Sequence, residues 1–201
     1  MNSKNNHVTV LFIAQAGVIA ALYVVLTYFI SAFNLASGAI QFRISEALCV
    51  LPFFTPAAIP GLAIGCLLAN ILIGSSIWDI VFGTLATFIG AYVSYLLRKH
   101  RFLVTLPPVF ANMLIIPFVL CYAYGLTGAW VVNGVDLSII FYMGTVGAGE
   151  VLAVCVLGSI LLNALYPFRK QIFGELYGDN DERVAGKATE STDEETQEKS
   201  I

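Results

Sequence analysis

Six apolar segments occupy most of the first 174 residues, and they constrain the fold more than any other feature of the sequence. They are residues 8–32, 44–56, 57–74, 77–97, 102–125 and 139–166. Only 11% of the chain is charged, whereas soluble domains carry about 25% charged residues. A helix needs about 20 apolar residues to cross a hydrocarbon layer of ~30 Å. The sequence therefore predicts an all-α integral membrane protein.

The second segment is too short to cross a bilayer unaided, so residues 44–74 could also form one helix kinked at its prolines. Charge favours two separate spans, because cytoplasmic loops carry an excess of Lys and Arg. With six spans, six of the seven basic residues before position 175 lie on the cytoplasmic side, and Arg43 is the exception. We predict a bundle of six transmembrane helices with both termini in the cytoplasm.

Residues 175–201 differ from the rest of the chain. They contain nine acidic and three basic residues, whereas residues 1–174 contain four and seven. A polar, acidic segment without apolar periodicity is typical of disorder. The sequence predicts a six-helix transmembrane domain over 1–174 and an acidic, disordered cytoplasmic tail over 175–201.

The four acidic residues of the apolar part are Glu46, Asp79, Asp136 and Glu150. A carboxylate inside a bilayer is costly, so it usually faces a partner, a cavity or a ligand. Glu150 is the strongest candidate, because it lies about eleven residues into the sixth segment and should lean toward the outer end of its helix. Gly147, one turn earlier, predicts open volume beside it. A carboxylate hydrogen-bonded between helices is the alternative.

The other charged candidates also have structural alternatives. Asp79 begins the fourth segment beside Trp78, where an acid stabilises the helix dipole and a tryptophan can anchor the helix at the interface. Arg43 and Glu46 are three residues apart and can form an ion pair or contact a ligand. Asp136 lies in an outer loop, where we expect it to be solvated.

Two amides and one tyrosine complete the candidate site. Asn70 and Asn112 lie within apolar segments and must satisfy their donors and acceptors, either by cross-linking helices or by reading the edge of a heterocycle. Tyr142, near the outer end of the sixth segment, either lines a pocket or belongs to the interfacial belt.

Small residues indicate where helices touch, because helices in lipid pack through small side chains. In the first segment, the pairs Ala16–Ala20 and Gly17–Ala21 either pack internally or face a partner protein. The third and fourth segments carry a pattern that predicts internal packing, formed by Gly61, Gly65, Ala69, Gly83, Thr87, Gly90 and Ala91.

Several classes of function are not supported. The four cysteines include no Cys-x-x-Cys pair, so neither a zinc site nor a disulfide framework is indicated. The run Gly144–Gly149 follows no strand and has no Lys-Ser or Lys-Thr ending, which weakens a phosphate-loop interpretation. No nucleophile–base pair is visible. We expect a non-catalytic protein without cofactor, metal or nucleic acid, which does not itself hydrolyse ATP.

Three segments resemble a known family. The longest is QFRISEALCVLPFFTPAAIPGLAIGCLLAN, from Gln41 to Asn70, and the others are DIVFGTLAT from Asp79 and AALYVVLT from Ala20. They resemble the QueT family over roughly residues 10–170. Members of that family are substrate-binding (S) components of energy-coupling factor (ECF) transporters, assigned to queuosine precursors.

The resemblance implies a six-helix S component in a bacterial plasma membrane, with residues 1–174 as the substrate-binding domain. It would capture its substrate at the outer face and dock on a transmembrane coupling protein and two ATPase subunits. In S components an Ala-x-x-x-Ala pattern of the first helix contacts the coupling protein. This pattern maps to Ala16 and Ala20, with Gly17 and Ala21 as the neighbouring register.

A 7-deazaguanine precursor with a 7-aminomethyl or 7-cyano group suits these polar residues. One carboxylate can accept from its N1–H and 2-amino groups, and a cationic aminomethyl group favours a second carboxylate. The predicted contacts are Glu150 and Asp79 as carboxylates, Asn70 and Asn112 as edge readers, Arg43 and Glu46 as further contacts, Trp78 or Tyr142 as stacking wall, and loop 33–43 as lid.

Three alternatives stay open. The chain could be an S component for another small vitamin or nucleobase. It could be a solitary proton-coupled carrier with Glu150 as its proton site. It could also be a membrane scaffold or assembly factor that uses its small-residue faces.

Overall fold

The computed structural model describes residues 3–32 and 43–174, with side chains from His7 onward. The predicted tail and lid therefore lie outside the described residues, apart from Arg43 at the end of the lid. Each predicted apolar segment is a helix. The helices are α1 Ser3–Ser31, α2 Ile44–Phe53, α3 Ala58–Leu72, α4 Asp79–Leu96, α5 Leu103–Ala123 and α6 Ser138–Gly174. Strands β1 Val131–Val132 and β2 Val135–Asp136 form a short antiparallel hairpin before α6.

Four of these helices, α1, α4, α5 and α6, are long and apolar enough to cross a membrane. Helix α2 has 10 residues and α3 has 15, fewer than the roughly 20 that a straight span needs. The described residues thus have the helical, membrane-type architecture that the sequence predicts, with four candidate spans.

Helix α2 lies at the centre of the bundle. Its residues from Ser45 to Pro52 are all buried, and it packs on α1, α4 and α6. It is wound as a 3-10 helix that includes Pro52, which has no backbone N–H to donate. Hydrogen bonds of 2.8 Å join Gln15 to Thr55 and Thr27 to Ser45. Across these two pairs the residue number rises in the first segment as it falls in the second, so α2 runs antiparallel to α1.

Small residues let α1 and α3 approach closely. A β-carbon added to Gly61 would lie 2.8 Å from the Ala16 carbonyl oxygen, and one added to Gly65 would lie 3.0 Å from the Ala20 carbonyl oxygen. These contacts make α3 parallel to α1. The chain therefore reverses direction after α2, so residues 44–74 form two helices and not one kinked helix.

The predicted internal packing of the third and fourth segments is confirmed. In α4, a β-carbon on Gly90 would lie 2.8 Å from the Cα atom of Pro108 at the start of α5. The small residues on these faces are buried, namely Gly61, Gly65, Ala69, Gly83, Thr87, Gly90 and Ala91.

Replacing Gly65 by alanine is expected to destabilise the fold, because the new methyl group must push α1 away from α3. Overpacking of this kind costs about 1–3 kcal/mol. Gly17→Ala is the matched control, since both changes gain helix propensity but nothing lies within 4 Å of a β-carbon at Gly17. Thermal unfolding in detergent should give a lower midpoint for Gly65→Ala alone. Equal midpoints would contradict the close approach of the two helices.

Three helices contain wide π-helical turns, at Asp79–Gly83 in α4, Val119–Ala123 in α5 and Val151–Gly158 in α6. Such turns are rare and occur frequently at functional sites. The first begins at Asp79, and the third directly follows Glu150. Asp79 and Glu150, two of the predicted site residues, thus lie where a π-helical turn begins.

Candidate functional site

Each of the described helices contributes at least one buried polar side chain to a common region of the bundle. Each of these side chains, and Arg43 with them, is at most 8% exposed. We call the set the polar cluster; it consists of Tyr23, Arg43, Glu46, Asn70, Asp79, Asn112 and Glu150. All of its members except Tyr23 are predicted binding residues.

Glu46 is held by its neighbours in α1 and α2. One oxygen of its carboxylate accepts a hydrogen bond from the Tyr23 hydroxyl, and the other accepts from the Cys49 thiol at 3.0 Å. Arg43 interacts with it electrostatically. No sequence pattern indicated Tyr23 as a partner, because it lies on a different helix, whereas the three-residue spacing from Glu46 to Cys49 could have identified the thiol.

Arg43 enters the cluster from an extended residue just before α2, with φ −111° and ψ 100°. Its guanidinium interacts electrostatically with Tyr23, Glu46 and Asp79. Its Nη1 atom would lie 3.7 Å from a β-carbon on Gly83, so the absence of a side chain there leaves room beside the guanidinium. The Nε atom has no hydrogen-bond partner among the described residues.

Asn70 and Asp79 join the ends of α3 and α4. The Asn70 amide nitrogen donates to the Asp79 backbone carbonyl at 3.3 Å, and it would lie 3.4 Å from a β-carbon on Gly83. The Asp79 carboxylate accepts from the Tyr124 hydroxyl, a contact that the sequence analysis missed. Within the described part of the chain, Asn70 Oδ1 and Asp79 Oδ1 have no partner. Two unpaired acceptors thus lie on neighbouring side chains.

Glu150 lies midway along the apolar part of α6, and Asn112 of α5 supports it. The Asn112 amide donates to the Glu150 carboxylate and to the Pro108 carbonyl oxygen, the latter at 3.2 Å. Glu150 also interacts electrostatically with Glu46 and Arg43. Its Oε2 atom is buried without a partner among the described residues.

The prediction of open volume beside Gly147 is wrong. A β-carbon on Gly147 would lie 3.0 Å from the sulfur of Met113, so the Met113 side chain fills that space. The flexible thioether of methionine commonly fills such irregular gaps. The Gly147 face of α6 is therefore packed and not open.

Four buried polar atoms of the cluster lack a protein partner among the described residues. They are three acceptors and one donor, namely Asn70 Oδ1, Asp79 Oδ1, Glu150 Oε2 and Arg43 Nε. Leaving a buried polar atom unpaired costs about 1–3 kcal/mol. The concentration of these unpaired atoms in one cluster favours a candidate site for a polar ligand over polar contacts that only join the helices.

The two predicted stacking residues have apolar surroundings. The Trp78 ring stacks on Phe82, with centroids 6.1 Å apart, and lines an open apolar groove of about 460 Å³ between α4 and α5. Tyr142 is buried in an apolar cluster with Ile116, Leu120 and Val146. Neither ring has a described contact with the polar cluster, whereas Tyr124 reaches it through Asp79.

Asp136 is exposed, as predicted, but it is not merely solvated. Its carboxylate accepts hydrogen bonds from the Ser138 hydroxyl, the Ser138 amide at 2.9 Å and the Gly128 amide at 3.0 Å. These bonds, with the Ser138 hydroxyl contributing most, lower the pKa of Asp136 below its ordinary value. The residue orders the hairpin loop and the start of α6.

The two small-residue pairs of α1 lie on different faces. Ala16 and Ala20 face Gly61 and Gly65 of α3, and Ala20 is buried. Gly17 and Ala21 are exposed. The Gly17–Ala21 register is therefore the one that α1 presents outward.

Comparison with known proteins places the chain in a family. The sequence model of the QueT transporter family matches residues 13–167. The queuosine precursor transporter QueT of Lactococcus lactis subsp. cremoris (strain MG1363) is 37% identical over 86 residues, which are 42% of this chain and 50% of that protein. The chain thus matches about half the length of this curated relative. No solved structure matches the chain.

Proposed function

Because the chain belongs to the QueT transporter family, we propose that it is the S component of an ECF importer and captures a queuosine precursor of the 7-deazaguanine type. The observation that carries this proposal is the polar cluster, in which four buried polar atoms lack protein partners. Buried polar groups in an apolar helix bundle commonly mark the path or site of a substrate. The cluster would lie toward the outer side of the membrane.

One edge of the 7-deazaguanine ring matches three of the four atoms. This edge presents an acceptor, O6, followed by two donors, N1–H and the 2-amino group. Arg43 would donate to O6, and the side-chain oxygens of Asp79 and Asn70 would accept from the two donors. The contact with Asp79 would be charge-assisted, and such hydrogen bonds are the stronger ones.

The first experiment is calorimetric titration of the chain, purified alone in detergent, with 7-aminomethyl-7-deazaguanine. We expect saturable binding at one site. Guanine, which has the same edge without the substituent, should bind more weakly. Adenine presents a different edge and should not bind. Failure of a folded sample to bind any 7-deazaguanine would overturn the proposal.

Uptake would require partners. We propose that the chain crosses a bacterial plasma membrane six times, with both termini in the cytoplasm, and that a coupling protein and two ATPases energise it.

The exposed pair Gly17 and Ala21 is the better candidate for the coupling-protein contact, because Ala16 and Ala20 are engaged with α3. Close helix contacts in lipid require such small residues.

Enlarging this face should uncouple transport from binding. The double change Gly17→Leu and Ala21→Leu is expected to abolish co-purification with the coupling complex and uptake by cells, while the isolated chain still binds ligand. Ala148→Leu, at an exposed alanine of α6, is the control. Retained complex formation by the double variant would exclude this face. Uptake that persists without the ATPase genes would favour a solitary carrier.

A further inference from the structure

We infer that Glu150 selects precursors with a positively charged 7-substituent, so that the aminomethyl form binds and the neutral cyano form is largely excluded. The inference rests on the proposed function, because it takes a 7-deazaguanine to occupy the polar cluster. It assigns recognition of the 7-substituent to the Glu150 side chain.

The polar cluster contains more acidic than basic side chains. Its carboxylates are Glu46, Asp79 and Glu150, and its one cation is Arg43. With all four ionised there is a formal excess of two negative charges. Buried charges are unfavourable unless they are paired. A cationic ligand reduces the excess, whereas a neutral ligand leaves it in place.

The three carboxylates differ in whether all their oxygens have hydrogen-bond partners among the described residues. Both oxygens of Glu46 already accept hydrogen bonds, from Tyr23 and Cys49. Asp79 lies beside Asn70 and interacts with Arg43, where the ring edge is proposed to bind. Glu150 belongs to a different helix, and its Oε2 atom is unpaired among the described residues. It also interacts electrostatically with Glu46, so a cation beside Glu150 would be attracted by the negative charge of both carboxylates.

The unpaired atoms also favour a ligand with more donors than acceptors. Three of the four are acceptors and one is a donor. An aminomethyl group in its ammonium form offers three N–H donors and a charge. A nitrile offers no donor, and its nitrogen lone pair would face the carboxylate oxygen. Unpaired or repelling polar groups of this kind are how binding sites exclude close analogues.

Calorimetry on the full chain with two ligands tests the inference. We expect 7-aminomethyl-7-deazaguanine to bind at least about 100-fold more tightly than the 7-cyano compound, the scale of losing one buried charged contact. Equal affinities would overturn the inference and leave the proposed function intact. Binding of neither ligand would overturn the proposed function itself. This comparison does not depend on any variant folding.

The ratio of the two affinities then tests whether Glu150 is the residue that distinguishes the two ligand forms. Glu150→Gln keeps the size and removes the charge, so it should weaken the aminomethyl form alone and bring the ratio below about 10. Asp79→Asn should weaken both forms and leave the ratio unchanged. If Glu150→Gln weakened both forms equally, Glu150 would be a structural residue and the assignment would fall.

Discussion

Replacing Asp79 by asparagine is expected to weaken the binding of every 7-deazaguanine strongly. The carboxylate oxygen Oδ1 is buried without a partner among the described residues and is proposed to accept from the ring edge. Removing one partner of a buried, charged hydrogen bond costs roughly 2–5 kcal/mol, or about 30-fold to several thousand-fold in affinity. An asparagine amide could also present its NH₂ group to the ring donors, which adds a repulsive contact. Calorimetric titration measures the loss.

Asp136→Asn is the matched control, because Asp136 is also a carboxylate near the start of a helix but bonds to Ser138 and Gly128 instead. It should leave ligand affinity unchanged. Thermal unfolding of both variants separates loss of binding from loss of fold. Normal binding by a folded Asp79→Asn variant would remove Asp79 from the site and, with it, the proposed reading of the ring edge.

The sequence predicts the helices well because hydrophobicity and charge determine them. All six apolar segments are helical, and the charge argument for separating α2 from α3 agrees with the chain reversal between them. The π-helical turns and the 3-10 winding of α2 were not predicted. They depend on which backbone hydrogen bonds the packed bundle selects, and residue pattern does not report this.

The membership of the polar cluster could largely be predicted from the sequence, but its contacts could not. Polar residues within apolar segments stand out because they are costly there, and this identified five members of the polar cluster. The sixth, Arg43, was identified by its side of the membrane in the predicted topology. The partners Tyr23, Cys49 and Tyr124 were missed, and Met113 was not expected beside Gly147. Their contacts depend on the rotation of each helix about its axis, which an apolar segment without a strong polar face does not specify.

Arg43 illustrates how an exception to a rule can be informative. It is the one basic residue of the first 174 that the predicted six-span topology leaves on the outer side. The structure buries it in the polar cluster next to Gly83, so the residue that is exceptional in the predicted topology belongs to the candidate site. We propose a role for Gly83 as well, because its lack of a side chain leaves space beside Asn70 and Arg43 for the ring edge.

Replacing Gly83 by leucine is therefore expected to abolish ligand binding without unfolding the chain. Gly83 has helical dihedral angles, φ −65° and ψ −43°, so any side chain is compatible with the backbone. A β-carbon would lie 3.4 Å from Asn70 Nδ2 and 3.7 Å from Arg43 Nη1, which are ordinary contacts. The remaining atoms of leucine would extend into the space between these two side chains, where the ring edge is proposed to bind.

A graded series makes this test specific. Gly83→Ala should bind with affinity within about tenfold of the parent chain, because a single methyl group fits. Gly83→Leu should show no binding, because its side chain would occupy the proposed position of the ring edge. Gly144→Leu is the control, because nothing lies within 4 Å of a β-carbon at Gly144. Calorimetry gives the affinities, and thermal unfolding shows whether each variant is folded. Normal binding by Gly83→Leu would mean that the ligand does not lie between Asn70 and Arg43, and the polar cluster would then be a set of helix contacts.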